Sequence, residues 1–310
     1  MTSRMRSIGC VLVASCLALL VARAQQIPDR SFSPPPFEPK FPKGDGPIVL
    51  IDAGHNNLHT AEGGYSPSAA TLRKDGFRVK SVGRFTRPVL EGAAVLMIVN
   101  ALDERNTSDW EPPIHQAISP EEIKVVVSWV ESGGGLMLIA DHQPFPAAVS
   151  ALASAFGFEF HDGWAVRAPD WSVDFGFRRS DGSLAVHLVT EGYQPMDSVY
   201  EVMTFGGSAF RPPPEAVSLL SFGEGFYSFQ PKDVTAFDQM TDPHIAIDGW
   251  SQGAIQAFGK GHIAVFGEAG MFTAQLAGPD TAPFGLNVPE AKDNLRLLLN
   301  TVRWLSSSLN

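Results

Sequence analysis

The sequence predicts an α/β fold, a mostly parallel sheet covered by helices on both faces, and three observations carry that expectation. Short β-branched apolar runs, PIVLID at 47–52 and LMLIA at 136–140 among them, have the uninterrupted hydrophobicity of strands buried on both sides. Segments of helical periodicity alternate with these runs, which is the order that builds a parallel sheet. Each run also ends in a polar loop, as strands do at a ligand-binding sheet edge.

Composition sets the frame. At 310 residues, 44% hydrophobic and 18% charged, the chain is an ordinary folded one. A net charge of −10 and the absence of any Lys/Arg run argue against a nucleic-acid partner. Arg4 and Arg6 precede an apolar stretch from Ile8 to Ala22 that ends in Ala22-Arg23-Ala24, the pattern of a secretory signal peptide over residues 1–24. The stretch is short for a bilayer span and no later run is longer, so the mature chain is expected to be secreted or periplasmic with no transmembrane segment. Lipid attachment at Cys16 is the rival reading, opposed by the apolar run continuing through Leu20 and Val21. Cleavage after Ala24 removes Cys10 and Cys16, leaving no disulfide, thiolate ligand or cysteine nucleophile. It also removes Arg4, Arg6 and Arg23 from the 23 basic residues, so 20 face 33 acidic ones and the charge becomes −13.

Residues 25–46 form a proline-rich N-terminal arm, IPDRSFSPPPFEPKFPKGDG from Ile27, unsuited to helix or ladder. The domain proper is expected over 47–310. Strand Pro47–Asp52 is followed by a helix over Pro67–Asp75, a strand over Phe77–Val82 and another over Ala94–Val99. Ser119, Pro120 and Glu122 make a capping box, and Ile123, Val126, Val127 and Val130 place one apolar stripe on the helix that follows. Gly133–Gly135 ends it, and a strand over Leu136–Ala140 leads into an alanine-rich helix over Pro146–Phe156. From about 158 to 250 the alternation lapses into aromatic, Gly- and Pro-rich sequence with short alternating runs such as Leu184–Val189 and Tyr200–Met203, read as a β-rich insertion. Regularity returns with Ala254–Phe258, strand His262–Phe266 and a helix over Glu290–Leu305.

The strand ends hold the candidate chemistry. They deliver Asp52, His55, Asn56 and His59, then Asn100, then Asp141 and His142, and last Glu268. Imidazoles and carboxylates in one cleft can activate water, so His55, Asp141, His142 and Glu268 are the expected catalytic groups, with Asn56 and Asn100 binding ligand. Asp52, His55 and His59 offer an N/O donor set for a divalent metal such as zinc, with Asp141 or Glu268 completing it. Each has a plainer role available: Asn56 can shape its loop, and Asp141 can cap the next helix. Trp110, Trp164, Trp171 and Trp250 could form a stacking platform or belong to the core. The chain lacks a Gly-x-Ser-x-Gly elbow, a His-Glu-x-x-His helix and a P-loop.

The loop Leu138–His142 after WVESGGG (129–135), and the closing pattern from Gly259-Lys260-Gly261-His262 through Phe266-Gly267-Glu268 to NLRLLLNTVRWL (294–305), resemble the class I glutamine amidotransferase-like superfamily. The nearest in look are trehalose-utilisation-type domains and the amidotransferase-like domains of gliding and intraflagellar-transport proteins. The resemblance covers about 46–156 and 254–305 and implies a flavodoxin-like doubly wound sheet. Its enzymes use an elbow cysteine; here that position falls near Asp141-His142, so cysteine-dependent glutamine hydrolysis is excluded. The resulting expectation is a hydrolase-like enzyme for a small polar or carbohydrate-derived substrate, its alternative a non-catalytic ligand-binding or scaffold domain.

Overall fold

The computed structural model describes residues 26–233 and 241–308. The expected signal peptide, with both cysteines, lies outside the described residues. In chain order the strands are β1 (Ile27–Pro28), β2 (Ile48–Asp52), β3 (Arg78–Val82), β4 (Ala93–Val99), β5 (Gly135–Ile139), β6 (Glu159–His161), β7 (Trp164–Arg167), β8 (Asp174–Arg178) and β9 (Glu201–Phe205). They continue with β10 (Ala209–Arg211), β11 (Val217–Ser221), β12 (Phe226–Phe229), β13 (His244–Ala246), β14 (Ser251–Phe258), β15 (Gly261–Phe266), β16 (Ala274–Ala277) and β17 (Ala282–Gly285). The helices are α1 (Ser66–Lys74), α2 (Arg87–Leu90), α3 (Pro120–Glu131), α4 (Phe145–Ala148), α5 (Ser150–Ser154), α6 (Leu188–Glu191) and α7 (Asn294–Leu305).

Strands β3, β2, β4, β5 and β15 lie side by side, all parallel, and β14, β10 and β6 extend them antiparallel, with β11 also on β14. The central strands are buried on both faces, and their alternation sorts residues between two layers. Leu96, Ile98, Leu136 and Leu138 pack with Val126 and Val130 of α3, while Met97, Val99, Met137 and Ile139 pack with Leu72 of α1 and Leu298 and Val302 of α7. Helix α3 begins as expected, Ser119 and Glu122 exchanging both capping bonds. At the start of β5 the backbone carbonyl of Leu305 would stand 2.3 Å from a Cβ on Gly135, so only glycine lets α7 seat so closely.

The proline-rich segment from residue 26 to 46 runs along the domain. Ile27 and Pro28 pair with Leu276 and Gln275 of β16, and Phe32, Phe37 and Phe41 pack against the α1/α7 core. A buried Arg303–Asp75 ion pair anchors the far end, Arg303 donating also to the Glu38 carbonyl and Lys40 N–H to Asp75.

Two local expectations differ. The helix foreseen over 146–156 is two short helices, α4 and α5, because Val149 leaves the helical geometry between them. The run Leu184–Val189 is no strand: Leu184 makes an isolated bridge to Leu220 and then α6 begins. His187 and Thr190 form a reciprocal capping box at its N-terminus, and that local hydrogen bonding overrides the alternation.

Candidate functional site

The parallel strands end along one edge and deliver the expected polar groups there, in two clusters. The first is Asp52, His55 and Glu122. His55 Nδ1 lies 2.9 and 3.0 Å from the two Asp52 oxygens, and Nε2 lies 3.3 Å from Glu122 Oε1. Burial alone would depress the imidazole, but the Asp52 hydrogen bond and the charges of both carboxylates raise its pKa. Glu122 is held ionised against its burial by the Ser119 hydroxyl, the Phe85 N–H and His55. His55 is therefore clamped between two carboxyl side chains, and neither ring nitrogen is open to a ligand. In this arrangement both nitrogens of the expected catalytic His55 have protein partners.

The second cluster gathers around the ends of β4, β5 and β15. Asn100, buried and at φ +49, accepts the Asp141 N–H through Oδ1 at 2.9 Å and donates through Nδ2 to His59 Nδ1 at 3.2 Å. With Nδ1 accepting, the proton of a neutral His59 sits on Nε2, 2.9 Å from the Gln275 amide, which must present its oxygen there. Gln275 Oε1 is otherwise a buried atom without a partner, so this amide orientation gives it the His59 N–H. Burial pushes the His59 pKa down to about 4, Asp141 opposing and His142 reinforcing the shift.

Asp141 is half-buried and takes the N–H groups of His142 at 2.9 Å and Ala269 at 3.3 Å. Glu268 is buried and receives the N–H groups of Gly270 and Met271 at 2.5 and 2.7 Å. Burial, reinforced by the charge of Asp141, drives its pKa well up despite those donors. Tyr65 closes the cluster from below, donating to the Ala269 carbonyl at 2.7 Å. Burial raises its phenol, and the two carboxylates add to the shift.

His142 is different. Its Nδ1 lies 2.7 Å from the Gln143 carbonyl and donates to it, so a neutral ring leaves Nε2 as an acceptor, and Nε2 has no partner among the described residues. Burial lowers its pKa, with Asp141 and the Gln143 carbonyl opposing. The ring stacks on Trp164 at 3.4 Å and 7°, with Phe145 and Trp110 at 5.9 and 6.1 Å. Trp164 comes from the middle third of the chain, whose turn also supplies the Gly163 carbonyl to Gln143 N–H and the Asp162 carboxylate to Ala147 N–H.

The structure thus brings together His59, Asn100, Asp141, His142 and Glu268. It sets Asp52 and His55 apart, and Asn56, exposed at φ +46 and bonded to the Leu102 carbonyl, shapes its loop. The expected zinc donors Asp52, His55 and His59 do not converge, and among the described residues no group of three or more His, Cys, Asp or Glu side chains is arranged to hold a metal. Of the four tryptophans, Trp110 and Trp164 wall this site, whereas Trp171 sits against Tyr227 and His244 and Trp250 under Arg211. Sequence reasoning missed Tyr65, Gln275 and Asp162, which carry no local signal, and it read Glu122 only as a cap. No helix among the described residues is long and apolar enough to cross a membrane.

No family model and no curated protein matches the sequence. Among solved structures the chain is similar to the mmIFT52 N-terminal domain, at TM-score 0.57 and 13% identity, over 84% of this chain and 97% of that one. It is also similar to a cytoplasmic protein from Salmonella typhimurium LT2 (TM-score 0.47, 12% identity, 85% and 99% covered). A ThuA-like protein from Bacteroides uniformis ATCC 8492 follows at TM-score 0.42 and 12% identity, over 88% and 95%. At these identities the likeness is one of fold, carried by the first of the three.

Proposed function

We propose that this chain is a secreted or periplasmic acid–base enzyme of the amidotransferase-like fold, acting hydrolytically on a small polar or carbohydrate-derived ligand at the His142 edge. The single observation that carries the reading is the unengaged Nε2 of a neutral, aromatic-walled His142 at a strand end. A neutral imidazole with a free nitrogen can take a proton from water or a ligand hydroxyl. Asp141 beside it favours the imidazolium that forms, and burial, reinforced by the charge of Asp141, pushes the Glu268 carboxyl well above its ordinary pKa. Trp110 offers an apolar face of the kind sugar rings stack on. The five parallel strands run in the order second, first, third, fourth, last, the flavodoxin-like order, which supports the doubly wound reading of the core. The step uses no metal, because the donors expected to hold one are engaged by protein partners.

The test is incubation of the full chain with a panel of mono- and disaccharides, products followed by NMR, alongside His142→Ala. The expected result is turnover of at least one sugar, lost in the variant by a factor of 100 or more, on the order expected for removing a general base, with the melting temperature nearly unchanged. Binding without turnover would instead support the non-catalytic alternative, and neither binding nor turnover across the panel would remove the proposal.

A further inference from the structure

A separate cavity of about 340 Å³ opens at the other end of the sheet. His262, the second residue of β15, pairs with Gly135, the first residue of β5, so this cavity lies roughly 15 Å from the strand-end site by strand rise. The register Val217↔Ile255 and Ala257↔His262 puts those side chains on one face of β11, β14 and β15, beneath Trp304 of α7. His262 sits 4.4 Å from the Trp304 ring and His187 6.0 Å, the latter edge-on. Val217 and Ile255 form an apolar wall, and the exposed Glu215 carboxylate stands at the rim.

The electrostatics of the lining have one sign. Burial lowers the pKa of both imidazoles, so both are neutral at pH 7. No lysine or arginine lines the cavity among the described residues, which leaves Glu215 as its one formal charge. An indole face attracts cations through its quadrupole, a carboxylate pairs with them, and an apolar wall takes an alkyl chain. We infer that this cavity is a second ligand site, taking a small primary alkylammonium whose N–H groups face Glu215 and whose chain lies along Val217 and Ile255 against Trp304. An anion would meet only the Glu215 charge, and a neutral alcohol would forgo both the ion pair and the cation–π contact.

The experiment is titration of the full ¹⁵N-labelled chain with n-butylammonium chloride, n-butanol and sodium butyrate, reading the indole N–H of Trp304, assigned with Trp304→Phe. The cation should shift that signal saturably, with n-butanol at least tenfold weaker and butyrate without effect. Glu215→Gln, at an exposed position, should weaken the cation at least fivefold and leave the alcohol unchanged. No shift at Trp304 with the cation, equal binding of alcohol and cation, or indifference to Glu215→Gln would each overturn the inference.

Discussion

His55 shows how a buried residue is read from its partners. Its folded-state pKa is raised, so its contribution to stability is full below the unfolded-state value of about 6.5 and is lost as pH rises through the folded value. His59 and His142 are shifted the other way and remove stability as pH falls below about 6.5. Unfolding free energy, measured by urea denaturation, should therefore decline on the alkaline side of about pH 6.5 in the native chain, and His55→Gln should flatten that limb alone. Asp162 offers a second case: burial raises its pKa to about 6, with the Ala147 N–H opposing. An acid with a raised folded pKa costs stability above that pKa and nothing below its unfolded value, so Asp162→Asn should stabilise the protein by about 1–3 kcal/mol at pH 7 and not at pH 3. A stability gain independent of pH would contradict that account.

The elements that the sequence made legible are those specified locally. The α3 capping box needs only Ser119 and Glu122, three residues apart, and the buried strands declare themselves by uninterrupted apolar runs. What it hid are pairings across the chain: His59 with Gln275, 216 residues on, and His55 with Glu122, 67 residues on. Local pattern cannot say which imidazole a distant carboxylate will enclose, and so His55 and His142 looked alike as bases. The N-terminal arm is another distant pairing. Its composition reads as a tether, yet the buried Arg303–Asp75 pair binds residues 38 and 40 to α7 and to the end of α1. Arg303→Ala leaves Asp75 as an uncompensated buried charge and should cost about 3–5 kcal/mol. The arm should also become cleavable by trypsin at Lys40 or Lys43, as limited proteolysis followed by mass spectrometry would show; equal protection in both chains would mean that the phenylalanines alone hold it.

Across the whole molecule, the sheet places two polar clusters along one edge and a cavity at the other. Strand order explains the first arrangement, since β2, β4, β5 and β15 all point the same way and end together. One cluster, Asp52–His55–Glu122, is closed upon itself and joins the β2 loop to α3. The other, built on Asn100, Asp141 and Glu268, is completed by Trp164 from the middle third of the chain, and it leaves one nitrogen open. The account stands on the state of that nitrogen. The measurement that reaches it most directly is a ¹⁵N NMR titration of the His142 ring, with His142→Ala for assignment. It should show an unprotonated Nε2 and a protonated Nδ1 at pH 7, a midpoint below the ordinary imidazole value, and movement of the Nε2 resonance when a bound saccharide is added. A protonated Nε2 at pH 7, a midpoint above the ordinary value, or an Nε2 signal that ignores every saccharide that binds would contradict it.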